Sequence, residues 1–182
     1  SSSDSVAPNT STRSRTATVT IAAGNITRTH TVTQAGIEVS LAVSPTSRSI
    51  GAGGGNGTFT VSSNTRWTWS SSAPWLTSNE STSQPGNQTF SYSVAPNTST
   101  QSRTATITIT AGHITRTHTV TQAGIEVSLA VSPTSRSIGA GGGNGTSTVP
   151  SNTTWTWTAS APWPTTTEST NQPGNQTFPS SL

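Results

Sequence analysis

ITRTHTVTQAGIEVSLAVSPTSRSIGAGGGNGT, running from Ile26 to Thr58, returns letter for letter as Ile114 to Thr146. The offset, 114 minus 26, is 88 residues, and other pairs keep it: Val6 with Val94, Trp67 with Trp155, Trp75 with Trp163 and Pro85 with Pro173. No insertion or deletion breaks the register. A fixed period of this kind marks a tandem array, and whatever the chain does must be something arrays do. The repeat divides the sequence into a C-terminal part of one unit (1–36), a complete unit (37–124) and the N-terminal part of a further unit (125–182).

Within the complete unit the apolar residues alternate. Ile37, Val39, Leu41 and Val43 alternate with other residues and stop at Pro45, which predicts a half-buried strand. A glycine-rich turn at 51–57 leads to a second strand carrying Phe59 and Val61. Trp67 and Trp69 share one side of a third, and Trp75 follows Ala73-Pro74 in a short fourth segment. Phe90, Tyr92 and Val94 line a fifth strand, and Ala105, Ile107 and Ile109 a sixth. In the seventh, Ile114, Arg116, His118 and Val120 form one row and Thr115, Thr117, Thr119 and Thr121 the other. No helical period competes. The fold class expected is all-β: tandem immunoglobulin-like β-sandwiches of about seven strands on an 88-residue repeat. Phe59, Trp67, Trp69, Tyr92 and Ile107 are the expected core, because little else in so threonine-rich a unit can fill one.

The chain has 182 residues and is only 27% hydrophobic and 7% charged. All eight basic residues are arginine, and a net charge of +3 spread along the sequence gives no basic patch for nucleic acid. Cysteine is absent, which excludes disulfides and thiolate chemistry. No apolar run approaches the length of a membrane span. Neither a leader segment nor an initiating methionine opens the sequence, so the expectation is a mature product or a segment of something longer.

Several spaced motifs resemble a known family. Ser63-Asn64-Thr65-Arg66-Trp67-Thr68, Pro74-Trp75-Leu76-Thr77, Arg103-Thr104-Ala105-Thr106-Ile107 and Val120-Thr121-Gln122-Ala123-Gly124 look like a BACON domain, in tandem copies. The resemblance covers the full unit and most of both partial ones. It implies an immunoglobulin-like module associated with Bacteroidetes, in multidomain secreted or surface proteins. It also implies either carbohydrate binding, proposed for the family, or a passive spacer role.

The candidates for chemistry are few. Trp75 in its loop-like segment, with Arg66 and Asn64, is the candidate carbohydrate contact, because aromatic faces pack on pyranose rings. Trp67 and Trp69 are read as core instead. Glu38 and Glu80 are the only carboxylates of the complete unit, and no sequence feature brings them to the spacing glycoside hydrolysis needs. His30 and His118, one position in successive repeats, lack a second ligand nearby and read as strand histidines near the sandwich edge rather than metal ligands. The glycine-rich run lacks the lysine and helix of a phosphate loop. No catalytic, metal or cofactor site is therefore assigned. Nine Asn-x-Ser/Thr sequons occur, at Asn9, Asn25, Asn56, Asn79, Asn87, Asn97, Asn144, Asn152 and Asn175. Asn56, Asn79, Asn87, Asn97 and Asn144 are the candidate glycan acceptors, with Ser5 in Asp4-Ser5-Val6 as an O-linked one.

The first part, 1–36, holds only the sixth and seventh strands of a unit, and the last, 125–182, the first four with a fifth at its end. Two explanations stay open: the ends are cuts through a longer array, or neighbouring chains complete each other by strand complementation. The last part also departs from the middle unit, with Ser147 for Phe59, Pro150 for Ser62, Pro164 for Leu76 and Ser180 for Tyr92. The function expected is a non-enzymatic, extracellular or cell-surface repeat protein, the shaft of a fibre, filament or adhesin stalk. Its expected partners are its own copies or neighbouring repeats, without nucleic acid. The alternative is a carbohydrate-binding module of a secreted or surface glycan-targeting protein.

Overall fold

The computed structural model describes residues 5–181, and among them every regular element is a strand. Contacts divide the chain into two compact units, Ser1–Pro96 with Arg103–Gln122 and Asn97–Ser102 with Ala123–Leu182.

The first unit contains a two-sheet sandwich. One sheet has the order β3 (Leu41–Ser44), β5 (Gly55–Ser63), β9 (Gln88–Val94) and β7 (Leu76–Thr77). The other has the order β4 (Ser47–Ile50), β11 (Ile114–Gln122), β10 (Arg103–Ala111), β6 (Trp67–Ser71) and β8 (Ser83–Gln84). All seven expected strands of the unit are present, the first only from Leu41 onward. Two were not foreseen. β4 lies parallel to β11, the chain changing sheets at Pro45, and β8 adds two residues to the edge at β6.

Alternation decides which side of each strand is buried. In β10, Ala105, Ile107, Ile109 and Ala111 point inward while the threonines between them face out. The outward row is bonded across the strands, with Thr104 Oγ1 donating to Thr121 Oγ1 at 3.4 Å. β10 and β11 are joined through Gly112-His113, with Gly112 at φ 56°, the conformation that two-residue hairpin loops take from a leading glycine. From the facing sheet, Phe59, Val61, Phe90, Tyr92 and Val94 close the core, and Trp67 and Leu76 fill its flanks. Phe59 stacks on Phe90 with centroids 5.0 Å apart, and Trp69 meets the Phe90 ring edge-on at the same distance. Gly57 is required here: a Cβ would lie 2.2 Å from the Tyr92 ring that packs over it.

The same unit contains a hairpin of β1 (Arg15–Ala23) and β2 (Ile26–Gln34), paired with each other alone. Its loop glycine, Gly24, has φ 60°, and Thr16 and Thr18 face Thr33 and Thr31 across it. Its other face is bare: Val19 is 51% exposed and Ile21 60%.

The second unit holds two small sheets, β12 (Asn144–Val149) with β15 (Gln176–Ser181) and β13 (Trp155–Thr156) with β14 (Asn171–Gln172). Single bridges join Leu129 to Ser151 and Ser132 to Thr148. Trp155 and Trp157 pack on Phe178 at 5.7 and 5.2 Å, around a core that includes buried Val149. Ser135–Ile138, equivalent to β4, forms no strand.

Candidate functional site

The expected sugar-contact residues do not converge. Trp75 precedes Leu76, whose partner Val94 pairs with Gly55 at the start of β5. Asn64 and Arg66 follow Ser63 at its other end. Eight steps of strand separate the two ends, roughly 26 Å at the usual rise. Each residue is engaged locally instead. Asn64 accepts from the Ser40 amide at 2.9 Å and donates to the Glu38 carbonyl at 2.7 Å, tying down the entry to β3. Arg66 donates to Ser83 Oγ and to the Ser83 carbonyl on β8. The Arg103 guanidinium covers one face of the half-buried Trp75 ring, 4.4 Å from its centroid. The three residues thus make separate structural contacts and do not share one surface.

Arg103 belongs to a larger polar latch. Its Nε donates to Gln122 Oε1 at 2.8 Å, and its Nη2 to the Ala95 and Pro96 carbonyls at 2.8 and 3.0 Å. Gln122 is fully buried, and its Nε2 is within reach of the carbonyls of Gly51, Ala52 and Ala95 at 3.3, 3.1 and 3.0 Å. The latch fastens β10 and β11 to the glycine loop at one end of the sandwich. A polar group this deep is tolerated because its bonding capacity is met.

His118 is the second buried polar centre. It is 0% exposed and lies at the core's middle, which corrects the expected edge position. The parity of β11 carried the signal, since His118 shares its row with Val120. Its Nδ1 is 2.7 Å from the Pro45 carbonyl, and a carbonyl can only accept, so Nδ1 carries the hydrogen. Nε2 then accepts from the Tyr92 hydroxyl at 2.9 Å. The ring also stacks on Phe59 at 4.7 Å. Burial lowers the imidazole pKa below 6.5, the Pro45 carbonyl acts the other way, and the Arg48 charge lowers it further. Burial raises the Tyr92 phenol above 10, against the Arg48 charge. The pair ties both sheets to the β3–β4 crossing.

Of the expected core, Phe59, Trp67, Tyr92 and Ile107 are buried, whereas Trp69 is half-buried, donating from Nε1 to the Ser81 carbonyl at 3.0 Å. Glu38 and Glu80 are both exposed. Glu80 shares a shallow cavity with Asn56, and the Glu38 carbonyl is bonded to Asn64, so they too sit toward opposite ends of β5. Among the described residues no three His, Cys, Asp or Glu side chains gather as a metal site, and no helix is long and apolar enough to cross a membrane.

Ser5, Asn56, Asn79, Asn87 and Asn144 are exposed, and Asp4 lies outside the described residues. Asn97 is not a free acceptor. It is 4% exposed, and its Nδ2 donates to the carbonyls of Gln101 and Ala123 at 2.8 and 3.0 Å, so an attached glycan would break this clamp. Asn9 makes the equivalent bonds to Arg13 and Ala35. Gly124 lies against the Thr100 carbonyl, 2.3 Å from where a Cβ would be.

Trp163, the counterpart of Trp75, is 67% exposed. It lines a groove of about 310 Å³ with Arg136, Ile138, Gly139, Ala140 and Gly142 in the second unit. Sequence reasoning did not single it out, because it took the candidate tryptophan from the complete unit, at Trp75.

Residues 1–37 and 40–125 match the model of a family described as the viral BACON domain. No curated protein matches the chain. Among solved structures it is similar to a Bacteroides ovatus GH5 xyloglucanase in complex with a XXXG heptasaccharide, at 26% identity and a TM-score of 0.44. The similarity covers 51% of this chain and 20% of that one.

Proposed function

The chain belongs to the family of viral BACON domains, and from that premise we propose that it is a non-enzymatic structural repeat, the shaft of an extracellular or cell-surface fibre, filament or adhesin stalk. The observation that carries this reading is where the side chains of the complete sandwich are used. Its aromatic residues are spent on the core, and Trp75 lies under Arg103. Parts of two further repeats, 1–36 and 125–182, flank the sandwich in sequence, and their missing strands come from neighbouring repeats or neighbouring chains. Exposed threonine faces and the accessible sequons keep such a shaft hydrated and open to glycan attachment.

The second reading, a carbohydrate-binding module, is favoured by one observation: Trp163 presents an open indole beside Arg136. A glycan panel probed with the intact chain and with Trp163→Ala separates the two. The shaft reading expects no glycan bound above background, and negative-stain images of the purified chain with elongated particles. Binding that disappears with Trp163→Ala overturns it in favour of the second.

A further inference from the structure

The complete unit runs on into further sequence on both sides, through Gly36 and through Ile125. Tension along the chain therefore enters the sandwich ahead of β3 and leaves it after β11. Between those points β4 and β11 lie side by side and parallel, with Ser47 opposite Thr119 and Ile50 opposite Gln122. Tension draws β4 backward along its own direction and β11 forward along the same line. The two strands are sheared rather than peeled, so the bonds between them share the load and must fail together. A parallel ladder spaces its bonds evenly, which suits equal sharing. Upstream, β3 offers four pairs with β5, and their loss frees only the short stretch before Pro45.

Side chains of β11 reinforce this patch at both ends. Where β4 begins, His118 Nδ1 donates to the Pro45 carbonyl at 2.7 Å, and the Thr119 amide donates to the Thr46 carbonyl at 2.8 Å. Past the end of β4, Gln122 Nε2 reaches the Gly51 and Ala52 carbonyls at 3.3 and 3.1 Å. Each side chain is also anchored away from β4, His118 by the Tyr92 hydroxyl and Gln122 by Arg103 Nε. Both are 0% exposed. Water is thus kept from the two ends of the patch, and a hydrogen bond in so dry a setting is stronger than one at the surface. A neutral hydrogen bond adds only about 1 kcal/mol net to folding. Equilibrium stability alone is therefore a weak reason to bury two polar side chains. What the two share is the strand they hold.

We propose that β4 and β11, bolted by His118 and Gln122, form a mechanical lock that keeps the sandwich closed when the chain is under tension. This rests on the shaft reading above and supplies the property a shaft needs. The lock shields the chain between Ser47 and Gln122, 122 minus 47 or 75 residues, and its failure releases about 250 Å of extended chain.

Pulling single molecules of the intact chain tests this, and the absence of cysteine lets paired substitutions set the direction of pull. Glu38→Cys with Ala123→Cys loads the lock in shear. Gly53→Cys with Ala123→Cys puts both handles at one end of the patch and unzips it, and Gly53 has open space where a side chain would go. Forced unfolding is governed by the unfolding barrier, and shear should need about twice the unzipping force or more. Gln122→Ala, added to the shear pair, should lower that force. Leu76→Ala, on β7 at the far edge of the facing sheet, should leave it unchanged, although both variants lower the urea midpoint. If either variant fails to fold, the comparison of directions still decides. Equal rupture forces in the two directions overturn the proposal, as does a shear force that falls as far with Leu76→Ala as with Gln122→Ala. Neither result touches the shaft reading, which stands or falls on particle shape and glycan binding.

Discussion

β2 and β11 have the same nine letters, ITRTHTVTQ, and opposite environments. In β11 the histidine, valine and glutamine of the inward row are buried; in β2 the same row is open or half-open. A second pair differs more sharply. SRSI is a strand at Ser47–Ile50 and irregular at Ser135–Ile138. Local propensity is identical within each pair, so it cannot be the cause. What differs is the partner: β4 exists because β11 lies beside it, and β11 is buried because Phe59, Tyr92 and Pro45 lie against it. In chains this poor in apolar residues, the tertiary neighbour decides both strand formation and burial.

The largest effect expected from this contrast is at tryptophan. Trp67→Ala should destabilise the complete sandwich by about 3–5 kcal/mol in urea unfolding, because it empties the largest fully buried position. Trp163→Ala in dilute protein should leave the midpoint where it was. Loss of stability at Trp163 in a monomer would break the comparison.

Next comes histidine, the cleanest pair. His118→Ala removes the group between Tyr92 and Pro45 and should cost about 2–3 kcal/mol, much of it from two buried polar groups left unpaired. His30→Ala, at the same letter of the same nonapeptide, should cost nothing measurable in dilute solution.

Gly57→Ala forces a Cβ into the Tyr92 ring and should cost about 1–3 kcal/mol. Gly145→Ala should cost less, since the atom in its way is the free end of Arg136. Equal costs at the two glycines would show that the Tyr92 contact is not what requires Gly57.

The smallest effect is that of pH. Burial holds His118 below 6.5 in the folded sandwich, whereas the unfolded chain titrates near that value. Between the two values the unfolded state binds the extra proton, so stability is full above 6.5 and declines as pH falls below it. Unfolding midpoints at pH 7.5 and pH 5 should show that decline, and His118→Gln should flatten it. A stability that rises on acidification would mean that His118 is charged in the fold.

Much of the sandwich was legible because alternation is a local signal. Phe90, Tyr92 and Val94, or Ala105, Ile107 and Ile109, state their face within five residues. β4 was not legible, since SRSI has one apolar residue and takes its strand state from a segment some seventy positions away. β8 is two polar residues, Ser83 and Gln84, and carries no pattern. The candidate site fared worse for the same reason. Asn64 and Arg66 read as polar side chains near a tryptophan, but their partners Glu38, Ser40 and Ser83 lie 17 to 26 positions off. The sequence holds Arg103 and Trp75 well apart, and nothing in it puts one over the other. Trp163 was passed over because Ala-Pro-Trp at 161–163 repeats Ala73-Pro74-Trp75, and only the structure shows one ring covered and the other bare.

Hydrogen exchange of β2 and β11 in the same sample, read on peptides whose flanking residues tell the two copies apart, tests the central claim most directly. An isolated two-stranded hairpin is marginally stable in water. The account predicts that β11 exchanges only with unfolding of the sandwich, while β2 exchanges fast. Protection of β2 equal to that of β11 would contradict it.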